Sequence, residues 1–307
     1  MTQLHSNNHE RIHTMKKILF QGAATALVTP FKEDGSIDFD AFGRTIDFQI
    51  DGGIDAVVVC GTTGEGSTLS DEEHKQLIRY CVKRVDKRIP VIAGTGSNDT
   101  NYGISLSKFA ESEGVDGLLL ITPYYNKTTQ KGLIRHFNTL ADNVDIPCIL
   151  YNVPSRTGVN IQPNTYLELS KHENIIAFKE ANGNISDITK TMSLVGDNLT
   201  LYSGDDDQVV PLMSVGGKGV ISVLSNIFPS EVHKMCYSFF NGDLEESRRL
   251  QFKYLDLINA LFCEVNPIPV KTAMGYLGMC SDRMRMPLVE MEDANRERLI
   301  KALEAVK

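Results

Sequence analysis

Apolar residues fall along this chain in short, β-branched runs at 23–28, 56–59, 91–94, 117–122, 148–153, 175–178, 199–203 and 219–224. Each is bounded by polar or turn-forming residues, and the pattern predicts eight strands. The stretches between them carry helical spacing. Over 70–85 the pattern opens on Ser70 and Glu73, a capping box, and over 101–113 Leu106, Phe109 and Ala110 fall on one helical face. Strands apolar on both faces, alternating with helices, imply a parallel sheet covered on both sides. Eight such units predict an α/β fold, the (β/α)8 TIM barrel. A doubly wound open sheet is the alternative, but no GxGxxG follows the first strand.

From Pro229 onward the alternation stops, and helical patterns at 230–240, 244–263, 270–277 and 293–306 remain. That is too much chain for one closing helix. It predicts a barrel domain over 18–240 followed by a small C-terminal helical domain over 241–307. Residues 1–17, with a second Met at position 15 and the basic pair Lys16-Lys17, show no periodicity and are expected to form a disordered leader.

Composition narrows the chemistry. At 307 residues and 42% hydrophobic the chain has ample core, yet no apolar run nears the ~20 residues of a membrane span. The N-terminus has no apolar segment ending in a small-residue cleavage site, so a cytoplasmic location is expected. A net charge of -8, with no basic face interleaved with aromatics, argues against nucleic acid as a partner. The six cysteines are scattered without a CxxC pair and are expected to be reduced core thiols. Of the seven histidines, His5, His9 and His13 fall in the leader and the rest stand singly; no metal-ligand spacing occurs, and no metal is expected.

A barrel of this kind holds its chemistry at the C-terminal ends of its strands. The second strand ends in Cys60-Gly61-Thr62-Thr63-Gly64-Glu65, whose backbone N–H groups and two hydroxyls suit a carboxylate, though a plain turn starting the next helix has the same composition. The fourth ends in Tyr124-Tyr125-Asn126, which is also what an aromatic barrel rim looks like. The fifth ends in Tyr151 to Gly158 with Arg156, a planar fork for a carboxylate. The sixth carries Lys179-Glu180. A lysine held in an apolar strand loses hydration of its charged form, which lowers its pKa and makes it a nucleophile toward a ketone; an ordinary strand-end lysine in water is the alternative. The seventh gives Ser203-Gly204-Asp205-Asp206. Around the eighth, Gly216, Gly217 and Gly219 are expected to leave room for close approach of a ligand.

GTTGE at 61–65, PYYN at 123–126, YNVPSRTG at 151–158, FKEA at 178–181 and NPIPVK at 266–271 together resemble the dihydrodipicolinate synthase family, pyruvate-dependent Schiff-base aldolases of class I. The likeness runs in order from about Gly22 through Lys271. It implies a (β/α)8 barrel with a helical C-terminal domain, and a homotetramer built from tight dimers. It implies that Lys179 forms an imine with pyruvate, with no other cofactor. Tyr151 would relay protons through Thr62 to Tyr125 of a neighbouring subunit. Thr63 would hold the pyruvate carboxylate, Arg156 that of aspartate semialdehyde, and Gly204 and Ile221 would complete the pocket. Sister lyases of sugar acids such as N-acetylneuraminate or a 2-keto-3-deoxy acid keep the lysine and tyrosine but lack the Arg-Thr-Gly, so 156–158 favours the synthase. A non-catalytic barrel that senses a small acid should have lost Lys179 or Tyr151. Where relatives bind feedback lysine, Asn98, Tyr124 and His74 are kept. The positions matching a Ser, a His and a Glu are Gly66, Asp71 and Tyr102, which implies weak or absent inhibition.

Overall fold

The structure, a computed structural model, describes residues 16–307. Most of the expected leader lies outside the described residues. Lys16, counted with that leader, is anchored: its Nζ donates to the carbonyls of Ser170 (2.6 Å), His172 (2.7 Å) and Ile175 (2.7 Å). Burial lowers its pKa to about 8.

The strands β1 (Gly22–Ala26), β2 (Ala56–Val59), β3 (Val91–Gly94), β4 (Gly117–Ile121), β5 (Cys148–Asn152), β6 (Ile175–Glu180), β7 (Thr200–Ser203) and β8 (Gly219–Ser222) form a closed barrel. All pairings are parallel, and β8 returns to β1. Alternation along each strand divides the apolar residues into two cores. One fills the interior and includes Ala24, Ala56, Val58, Ile92, Ile149 and Ile221. The other lies between the strands and the surrounding helices. Deep in the interior Phe20 stacks on Tyr202 at 4.2 Å, and the Tyr202 hydroxyl donates to the Phe20 carbonyl at 2.6 Å.

The helix Asp71–Val85 begins as expected, with Ser70 and Glu73 bonded reciprocally in a capping box. The C-terminal helices are Pro229–Phe240, Leu244–Leu261, Ile268–Tyr276 and Asp293–Val306. The third starts earlier than its periodicity predicts, because proline is tolerated in a first turn where the backbone N–H has no helical partner. No described helix is long and apolar enough to cross a membrane.

One expectation is corrected. Gly216, Gly217 and Gly219 lead into β8, at the barrel end opposite the catalytic one. A Cβ on Gly219 would lie 1.7 Å from the Gly22 carbonyl oxygen. That glycine lets the last strand close against the first, and it makes no room for a ligand.

Candidate active site

Tyr151 of β5 and Lys179 of β6 are direct register partners, and Tyr202 of β7 lies on the other side of Lys179. Lys179 sits two residues beyond Ala177, and Tyr151 two beyond Ile149, so both turn into the interior at its C-terminal end. The 175–178 run understates this strand: the ladder continues through Glu180, so Lys179 is a strand residue and only 5% exposed. Its Nζ lies 4.4 Å from the centre of the Tyr151 ring. Burial lowers the Lys179 pKa to about 8, with Asp205 and Asp206 pulling the other way. Burial also pushes the Tyr151 phenol up to about 12, while Arg156 and a hydrogen bond with Thr62 oppose the rise. The pair is therefore an amine that is easily deprotonated beside a phenol that keeps its proton at neutral pH. Such a pair can attack a carbonyl and protonate the departing oxygen.

Gly204 is required by this neighbourhood. A Cβ there would lie 3.1 Å from Lys179 Cε and 2.8 Å from Ala181 Cβ. Ile221 is fully buried in the interior core that also contains Tyr151.

The turn after β2 is shaped by left-handed backbone at Cys60 (φ 58°) and Glu65 (φ 53°). Behind it stands the C-terminal region. Asn266 Nδ2 donates to Thr63 Oγ1 at 3.0 Å, and the Asn266 carbonyl accepts from Arg156 Nη2 at 3.0 Å. Thr63 and Arg156, predicted to hold two different carboxylates, thus share one anchoring residue. Lys271 Nζ donates to Glu65 Oε1 (2.6 Å) and the Thr29 carbonyl (2.9 Å), 4.3 Å from the centre of the Phe31 ring. Glu65 Oε2 accepts from the Arg285 backbone N–H at 3.1 Å, and the Arg285 guanidinium pairs with Glu73. The roles of Asn266, Lys271 and Arg285 escape sequence reasoning. The one available signal is the lysine within an apolar helical segment at 268–276, which needs a buried anion.

A cavity of about 360 Å³ reaches Tyr151 of this pair but is not lined by Lys179; its walls include Thr62, Arg156 and Thr157 together with Gly66, His74, Tyr102 and Tyr124. Behind the lining residue Tyr102, Asp71 accepts from Lys75 (2.7 Å) and from the Tyr102 hydroxyl (3.2 Å). Tyr125 is the predicted residue that this chain does not bring to its own site: it is 91% exposed, with φ at 66°.

Residues 19–306 match the dihydrodipicolinate synthetase family. The chain belongs to that family. Among similar members, the 4-hydroxy-tetrahydrodipicolinate synthase of Acetivibrio thermocellus is 52% identical over 289 residues, covering 94% of this chain and 98% of that one. Its counterpart in Caldicellulosiruptor saccharolyticus is 55% identical over 285 residues, 93% of this chain and 96% of the other. The dihydrodipicolinate synthase structure from Aquifex aeolicus superimposes with a TM-score of 0.91 at 47% identity, covering 93% of this chain and 97% of that one. One from Cyanidioschyzon merolae, solved with lysine bound, gives 0.92 at 39% identity, covering 94% and 99%. Family membership agrees with the closed eight-strand barrel and the helices that follow it.

Proposed function

We propose that this chain condenses pyruvate with L-aspartate-4-semialdehyde to 4-hydroxy-tetrahydrodipicolinate, a step of lysine and diaminopimelate biosynthesis, through a Schiff base on Lys179. The observation that carries the reading is the buried amine of Lys179 set against Tyr151 in strand register. The neutral amine adds to the pyruvate ketone, Tyr151 protonates the oxygen, and water leaves. The protonated imine draws electrons from the methyl carbon, which gives up a proton and becomes an enamine. That carbon adds to the aldehyde of the second substrate, whose amino group then displaces Lys179 and closes the ring. Thr62 passes protons to and from Tyr151, Thr63 and the N–H groups of its turn hold the pyruvate carboxylate, and Arg156 holds that of the semialdehyde. Turnover of the two substrates together, with none of N-acetylneuraminate or a 2-keto-3-deoxy sugar acid, is expected in a direct assay. The reverse preference would overturn the reading in favour of a sugar-acid lyase.

Arg156→Ala is expected to weaken apparent affinity for the semialdehyde about ten- to a hundredfold, the effect of losing a charge-assisted bond of roughly 1.5 to 3 kcal/mol. Imine formation with pyruvate should be nearly unchanged. Steady-state kinetics varying each substrate in turn checks this, and equal damage to both contradicts the assignment.

The exposure of Tyr125 supports action across a subunit boundary in a cytoplasmic homotetramer. Mixed oligomers of Tyr125→Phe and Lys179→Ala chains should regain activity that neither parent has. Mixtures that stay inactive despite verified subunit exchange would place Tyr125 outside the site.

Lysine should inhibit weakly or not at all, because the carboxylate of Asp71 is already engaged by Lys75 and Tyr102. Half-inhibition below about 1 mM, roughly 4 kcal/mol of binding, in an initial-rate titration would show the opposite.

A further inference from the structure

One residue beyond the Tyr151–Lys179 pair, Asn152 and Glu180 are also register partners. Alternation turns them to the outer face of the barrel wall, toward the helix Pro163–Leu169. Glu180 is 2% exposed and Asn152 fully buried. Glu180 Oε1 accepts from Asn152 Nδ2 (2.8 Å) and from the Asn182 N–H (3.0 Å), and Oε2 accepts from the Tyr166 hydroxyl (2.9 Å). Asn152 also reaches forward: its Oδ1 accepts from the Ile161 N–H at 3.1 Å and its Nδ2 donates to Asn160 Oδ1 at 2.7 Å. The loop carrying Arg156 leaves β5 at Asn152 and is tied back to the same side chain where it ends.

A buried carboxyl is costly, and an apolar side chain would pack the same layer at lower cost. Burial pushes Glu180 up to about 8 against the pull of its three donors. This cost falls beside the reacting pair, on the two strands whose offset sets the pair's geometry.

We propose that Glu180, acting through Asn152, is a positioning residue for both halves of the reaction: it fixes Tyr151 against Lys179 and seats the loop that carries Arg156. This rests on the imine chemistry proposed above. Proton relay demands close geometry, and a displacement of about 1 Å costs on the order of a hundredfold in rate.

The test removes the acceptor and then restores it. Glu180→Leu takes away every acceptor that Asn152 Nδ2, the Asn182 N–H and the Tyr166 hydroxyl use, whereas Glu180→Gln can keep its oxygen toward Asn152 and the Asn182 N–H and turn its amide to the Tyr166 oxygen. Glu180→Leu should slow reductive trapping of pyruvate at Lys179 at least about tenfold and raise KM for the semialdehyde, whereas Glu180→Gln should keep most of both. A folded Glu180→Leu with native trapping rate and native KM, or a folded Glu180→Gln no better than it, would overturn the proposal. If Glu180→Leu fails to fold, Glu180→Asp decides, since it keeps the carboxyl but is one methylene too short to reach Asn152 and Tyr166 together: native trapping and native KM there also overturn it. Failure of the native chain to be trapped at Lys179 would instead overturn the imine reading.

Discussion

Treated with pyruvate and a hydride reductant, the chain should gain one reduced pyruvyl group, carried on Lys179, while Lys179→Ala gains none. Only an imine is reduced to a stable adduct, and Lys179 is the lysine that burial brings to about 8 beside the Tyr151 phenol. At pH 7 about one-tenth of such an amine is neutral, against fewer than about one in a thousand for a lysine of ordinary pKa. The sign is set by the nucleophile: falling pH protonates the amine, so the trapping rate should fall about tenfold per unit below pH 7 and level off above 8. Condensation by Lys179→Ala should drop by about three orders of magnitude or more, because the covalent route is gone. Intact-mass and peptide-mass measurements decide the matter. A label elsewhere, or an unlabelled chain that still turns over, would sink the mechanism.

The second large effect concerns stability. The Lys271–Glu65 pair has both side chains at 0–1% exposure and a separation of 2.6 Å. Lys271→Met leaves the Glu65 carboxylate buried without its cation, a change that costs about 3–5 kcal/mol, which for a chain of this size lowers Tm on the order of 10 °C. Adding Glu65→Gln should restore much of that loss, since the stranded charge is removed. The affinity for pyruvate should stay reduced in both, because Glu65 braces the turn that presents Thr62 and Thr63. Thermal unfolding and pyruvate KM test the two statements separately. A single variant less than about 1 kcal/mol from native would show that the pair is dispensable.

The barrel was legible because its strands are buried on both faces, so 56–59 and 91–94 stand out as unbroken apolar runs. Ser70 and Glu73 marked a helix start by chemistry local to four residues. Legibility failed where a polar residue sits inside a strand. Lys179 and Glu180 end the apolar run, yet the ladder continues through them, because neighbouring strands pair with backbone whatever the side chain. The glycines before β8 were misread because a bare backbone serves strand closure as readily as ligand approach. Tyr151, Lys179, Thr62 and Arg156 converge on one end of the barrel as the resemblance implied. The bonds that hold them in place do not follow from spacing: Asn266 meets Thr63 across 203 residues, and Lys271 meets Glu65 across 206.

Those separations also order events in time. All eight strands, with Tyr151 and Lys179 on them, are synthesised before Asn266, Lys271 and Arg285. Until those residues exist the turn at 61–65 has no backing, and Arg156 lacks the carbonyl that holds it. A chain truncated in its last fifth would carry Tyr151 and Lys179 but none of the contacts that hold Thr63, Glu65 and Arg156 in place.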